Sequence, residues 1–118
     1  AAQEAGGVTF RQKDDALQVE VRGHPLLEYV RRDPAIRRPY LTRLHVPGGG
    51  MVTRRHPPVE GMDAVDHATM HPGLWLAFGD LDGGDFWRNR NEVRFAGFLK
   101  EPRTTPGGGE FTARHQYR

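Results

Sequence analysis

The segment His67-Ala68-Thr69-Met70-His71 sets two imidazoles four residues apart, with Asp66 directly before the first. Imidazole and carboxylate are the groups that exchange protons or bind borderline metal ions near neutral pH. On a helix the four-residue spacing puts both rings on one face, as in zinc proteases. Here Pro72 follows His71 directly and disfavours helical geometry at that point. Position 68 is alanine, where a zinc protease carries its glutamate. The protease reading fails, and a loop remains. On it, Asp66, His67 and His71 are candidate acid–base residues for a bound substrate. The same three are alternative metal ligands, and His56 or Asp63 would complete a mixed nitrogen–oxygen set suited to zinc or non-haem iron. The competing structural reading has these groups hydrogen-bonding the backbone of a long loop and pinning it.

The motif lies in a longer stretch, His56 to Asn89, that holds both tryptophans of the chain. Trp75 and Trp87 are candidates for a stacking surface against a sugar ring or another flat apolar face. Packing in the core is the alternative for each. Arg88 and Asn89 supply donors beside Trp87, and His56, Asp80 and Asp85 complete the candidate ligand-binding set. Asp80-Leu81-Asp82-Gly83-Gly84-Asp85 looks like the start of a calcium loop. An EF-hand, however, needs glycine at its sixth position and glutamate at its twelfth, where this chain has Asp85 and Asn91. Asp82-Gly83 reads better as a tight turn joining Leu74–Asp80 to Phe86-Trp87. Serine and cysteine are both absent, which excludes a serine or cysteine nucleophile, disulfides and thiolate metal sites within these residues. No dinucleotide fingerprint or phosphate loop is present. No cofactor is assigned.

The elements that must position these residues are strands. Val8–Gln12 and Ala16–Val21 alternate apolar and polar around Lys13-Asp14-Asp15, the pattern of a hairpin. Leu26–Val30 is a third candidate strand, and Leu41–Val46 a fourth, with Leu44 and Val46 toward a core. Arg54 to Gly73 shows no convincing strand or helix, and runs of that kind inside a domain are functional or disordered. Leu74–Phe78 reads as a short buried strand. Glu92–Lys100 alternates again, Glu101–Gly109 is a Pro/Gly-rich connection, and Glu110–Arg118 is a last strand aligning Phe111, Ala113, His115 and Tyr117. Ala1 to Gly7 reads as a frayed leader. The expected fold is all-β, an antiparallel sandwich or part of a larger one.

Composition bounds the rest. The 118 residues make at most one domain, and the hydrophobic fraction of 36% allows only a small core. The expectation is a single, incomplete domain whose remaining partner is the rest of its own fold. Lys and Arg number 17 against 15 Asp and Glu, a formal charge of +2. Arg31, Arg32, Arg37 and Arg38 come closest to a basic patch, and Asp33 interrupts them. Nucleic acid is therefore not expected as a partner. The longest apolar run, Leu74–Phe78, is far short of the roughly 20 residues that cross a bilayer, and no secretory signal is visible. No compartment follows from these features.

Arg38-Pro39-Tyr40, His56-Pro57-Pro58, Asp66-His67 with His71-Pro72-Gly73-Leu74-Trp75, Phe78-Gly79-Asp80 and Asp85-Phe86-Trp87-Arg88-Asn89 together resemble the bacterial PmoA-like proteins, a family of unknown function that carries a methane-oxygenase label. The resemblance covers Arg38 to the C-terminus. Many members have His-Pro-His-His-Arg-Gly-Leu-Trp where this chain has His67 to Trp75 without the middle histidine and the arginine. The resemblance implies part of a longer β-sandwich, in proteins associated with bacteria that degrade complex carbohydrate. Residues and resemblance together point to a domain that binds or transforms a sugar-like or other polar small molecule. The alternatives are a metal-dependent oxygenase or hydrolase using His67 and His71, and a non-catalytic accessory domain.

Overall fold

The computed structural model describes residues 7–118, so the leader expected at Ala1 to Gly7 lies, but for Gly7, outside the described residues. Six strands follow one another: β1 (Val8–Gln12), β2 (Ala16–Val21), β3 (His24–Val30), β4 (Tyr40–Thr42), β5 (Val93–Thr105) and β6 (Gly108–Tyr117). They form two antiparallel sheets, one in the order β1-β2-β3-β4 and one of β5 with β6. Among the described residues there is no helix. The fold is all-β and sandwich-like.

The register follows from the alternation. Phe10 pairs with Val19, Leu17 with Tyr29 and Val19 with Leu27, so the apolar set of three neighbouring strands falls on one face. Leu17, Val19 and Tyr29 are buried there, and Phe95, Phe98, Phe111 and Ala113 of the second sheet pack onto them. Tyr29 is the hub, with its ring 5.3 Å from Phe111 and 6.3 Å from Phe95. Phe95 and Phe98 are an odd number of residues apart and would point to opposite faces of a regular strand. A register shift between them turns both toward Tyr29.

Three expectations need correction. Strand β4 ends at Thr42 because Arg43 takes a positive φ of 55°, so Leu41–Val46 is not one strand and Val46 is exposed. The Pro/Gly-rich connection shrinks to Pro106-Gly107, since β5 runs on to Thr105 and β6 begins at Gly108. Irregular pairing between Lys100 and Arg103 lets Pro102 sit inside β5 without a ladder donor. Most importantly, Leu74–Phe78 is not a buried strand. Only Leu74 pairs, exchanging bonds of 2.7 and 2.8 Å with Leu41, and Leu74, Leu76 and Phe78 all face outward. The apolar run suggested cover on both faces, whereas this segment meets a three-residue edge strand at one residue, and of its side chains only Trp75 and Ala77 are partly buried.

Leu17→Ala should therefore cost about 2–5 kcal/mol in chemical denaturation, as a core truncation. Leu76, 69% exposed, should cost less than about 0.5 kcal/mol when cut to alanine.

A polar contact closes this core. The Tyr29 hydroxyl and His115 Nε2 lie 2.6 Å apart with their rings stacked. Burial pushes the Tyr29 hydroxyl up to about 12 and the His115 imidazole below its ordinary value. A histidine that binds its proton less readily folded than unfolded stabilises the fold fully above about pH 6.5 and loses that contribution as pH falls. Thermal unfolding across this range should show an acid limb, and His115→Gln, which can still accept from Tyr29, should flatten it.

Candidate functional site

A loop without strand or helix still has to satisfy its backbone hydrogen-bonding groups. Between Arg54 and Gly73 the Arg54 guanidinium does much of this. Its Nε donates to the His71 carbonyl at 3.1 Å, Nη1 to Ala64 at 2.7 Å, and Nη2 to Asp66 at 2.7 Å and His67 at 3.3 Å. Nη1 also approaches Asp66 Oδ1 at 3.5 Å. Within this clamp the chain makes one helix-like turn, with the Met70 and His71 amides donating to the His67 carbonyl. Pro72, fully buried, follows it. The four-residue spacing thus brings the two imidazoles together after all, 5.1 Å between ring centres, from a single turn instead of a helix. His67 itself has a φ of 50°, a region uncommon for residues other than glycine. Gly73 ties the turn to β4: its φ is 154°, and a Cβ there would overlap the Leu41 carbonyl oxygen.

Side chains then line up. His67 Nδ1 donates to Asp66 Oδ2 at 3.0 Å, and this bond is the main reason the Asp66 carboxyl lies below the usual range, with Arg54 adding to it. His71 stacks on Trp75 at 5.6 Å and 21°, and Trp75 meets Trp87 at 5.8 Å. Potential ligand atoms of Asp66, His67 and His71 all lie within 4.8 Å of one another. Among the described residues no protein group hydrogen-bonds the His71 ring.

Arg38 braces the row from beneath. Only 2% exposed, it places its guanidinium 5.0 Å from the centre of the Trp75 ring and donates to the carbonyls of Met70 (2.6 Å), Phe86 (3.2 Å) and Trp87 (3.3 Å). Burial lowers its pKa, and no carboxylate pairs with it among the described residues. Arg31, the other buried guanidinium of the basic run, donates to Gln12 and to the Lys13 and Asp14 carbonyls.

The remaining candidates stand apart from this row or serve its frame. His56 pairs with Asp33 at 3.2 Å and lies edge-on to Tyr40, whose hydroxyl donates to the same carboxylate at 2.7 Å. Asp80 caps the Asp82-Gly83 turn, whose two positive φ values, 51° and 83°, are those of a tight hairpin turn. The Phe86 amide donates to Phe78 across it. Asp85 accepts from the Trp87 and Arg88 amides and from the Arg88 side chain. The Arg88 amide is the chief cause of its lowered pKa. Asn89 bridges the Arg37 amide and the Ala35 carbonyl.

The sequence profile of one protein family, the Family of unknown function (DUF6807), matches residues 16–118. The chain belongs to that family. Membership in DUF6807 assigns no activity and gives no support to the methane-oxygenase label. No curated protein and no solved structure matches the chain.

Nothing in the sequence marks Arg54, and Arg38 stands out there only within the basic run and the Arg38-Pro39-Tyr40 motif. Both work on carbonyl oxygens, which carry no residue-type signal. Arg38→Met should lower stability by more than about 2 kcal/mol, since it orphans several buried carbonyls. Arg54→Met should cost about 1–3 kcal/mol and raise hydrogen exchange across residues 64–71, whereas β2 and β3 stay protected.

Proposed function

We propose that this domain binds a small polar molecule of the sugar class along the Trp75–Trp87 wall, with Asp66, His67 and His71 at its polar end. The observation that carries this reading is the continuous row of rings from His67 through His71 and Trp75 to Trp87. At one end Trp87 is 43% exposed, and at the other the Asp66 and His67 side chains are more than half exposed. An exposed ion pair contributes little to stability, and the loop backbone is held by Arg54 and Arg38. Pinning therefore does not account for Asp66 and His67. Beside the row a shallow depression of about 450 Å³ is lined by Thr53, Arg54, Asp66, His71 and Trp75, among others. That volume suits a small ligand.

The chemistry available there is proton transfer. With Nδ1–H donated to Asp66, the His67 ring is oriented and Nε2 is left to take a proton from a ligand hydroxyl. The exposed Trp87 indole supplies the apolar surface to which a sugar ring presents its C–H groups, while Trp75, stacked by His71 and Arg38, backs it. Asp80, Asp85, Arg88 and Asn89 support the wall through the turn that positions Trp87, and His56 through the loop entrance. Two clefts are larger, one of about 640 Å³ beside Gln18, Glu28 and His56 and one of about 620 Å³ around Arg32 and Arg94, whose arginines already face Asp15 and Glu92.

Calorimetric titration with a panel of neutral and acidic monosaccharides and short oligosaccharides tests this. At least one sugar should bind, and Trp87→Ala should weaken it about tenfold, the scale of one lost stacking contact, with unfolding unchanged. Absence of binding across the panel, or undiminished binding by the variant, overturns the proposal.

A further inference from the structure

We propose that Asp66, His67 and His71 form a site for one zinc-like divalent transition-metal ion at the polar end of the wall, an assignment that rests on the site's location but not on sugar binding. The donor set is two imidazoles and one carboxylate, with atoms already within 4.8 Å of each other. Tetrahedral zinc with ligands at about 2.0–2.1 Å holds its donors about 3.4 Å apart. Closing the difference takes about 1 Å of side-chain movement, and Asp66 and His67 are exposed enough to make it without disturbing the core. The backbone that carries them needs no movement, because Arg54 fixes the carbonyls of Ala64, Asp66, His67 and His71 together.

Ligand chemistry selects the ion. Imidazole suits zinc and its first-row neighbours, whereas calcium and magnesium need more oxygen donors than one carboxylate provides. Arg54 approaches Asp66 Oδ1 at 3.5 Å, and Oδ2 accepts from His67 Nδ1 at 3.0 Å, so a bound ion would take the place of that exposed hydrogen bond between two of its ligands. His71 is steadied from behind by the Trp75 face, which leaves its ring edge for coordination. Three protein ligands leave a fourth position open, the pattern of catalytic and not of structural zinc. Asp66 and His71 both line the depression, so that position borders the ligand surface.

Titration of the full chain with zinc alone, in the absence of any sugar, is the direct test. One equivalent should bind, and His67→Asn and His71→Ala should each weaken it at least about tenfold. Asparagine is chosen at position 67 because it tolerates the positive φ there. His45→Ala, which removes an imidazole outside the cluster, should leave affinity unchanged. As a check independent of any variant, the wild-type chain loaded with cobalt should show the visible bands of a low-symmetry nitrogen–oxygen site. Trp87→Ala should keep zinc binding while weakening sugar binding about tenfold, so the two proposals fail separately. No stoichiometric zinc binding, a cobalt spectrum indistinguishable from the hydrated ion, or equal weakening by His45→Ala overturns the metal site.

Discussion

A guanidinium offers five N–H donors in a fixed plane, and two buried or half-buried guanidinium groups hold the histidine turn and the tryptophan wall here. Arg54 gathers four carbonyls from one side of the histidine turn. Arg38 gathers Met70 from the end of that turn and Phe86 and Trp87 from beyond the hairpin turn. Segments with no ladder of their own acquire, through these two side chains, the backbone satisfaction that a strand would have supplied. The cost is a desolvated positive charge at Arg38, which the three carbonyls and the Trp75 π-face offset. Because Arg38 holds the carbonyls of Phe86 and Trp87 while lying over Trp75, the two tryptophans must be neighbours.

Both ends of the His56–Asn89 stretch converge on the same short base between β3 and β4. Asp33 and Tyr40 receive His56 at the entrance, and Ala35 and Arg37 receive Asn89 at the exit. Asp33 is thus shared: its side chain also accepts from the Ala35 amide, which shapes the base itself. This closure makes the proline-bearing run Arg31 to Pro39 the foundation of the stretch. Ile36, in its middle, is almost fully buried. Work is divided accordingly, with arginines and turn-capping aspartates holding the backbone, while the Asp66–His67 pair stands exposed and the His71 ring makes no hydrogen bond among the described residues.

That division explains what the sequence could reveal. Strands β1, β2, β6 and the first part of β5 announce themselves by period two, because burial on one face imposes it, whereas β3 shows only as a short apolar run from Leu26 to Val30. The proximity of His67 and His71 was legible from their spacing, and the Asp82-Gly83 turn from its residue pair. Leu74–Phe78 misled because apolar content reports the capacity to be buried, not the presence of a covering layer. The clamps of Arg38 and Arg54 were invisible for a different reason. Their partners are main-chain carbonyls at separations from 10 to 49 residues, and no periodicity or residue type marks such contacts. The same applies to Asp85, whose carboxylate caps its own turn, and to Asn89, whose side chain bonds the Arg37 amide and the Ala35 carbonyl 52 and 54 residues away.

Trp75 is where the site and the sandwich meet. It lines the depression beside His71 and also an apolar groove of about 420 Å³ that runs between Tyr29, Leu41, Phe111 and His115. The groove lies between the first sheet and β6, so the indole bridges the small core to the histidine turn. A ring braced by Arg38, His71 and Trp87 has little freedom to rotate. Rigidity from the sheets therefore reaches the turn through packing, in a region where no ladder of hydrogen bonds extends beyond the Leu41–Leu74 bridge. A site carried by a loop usually sacrifices precision. Here the loop recovers it by resting on one indole wedged against the core and two arginines that act as its strand partners.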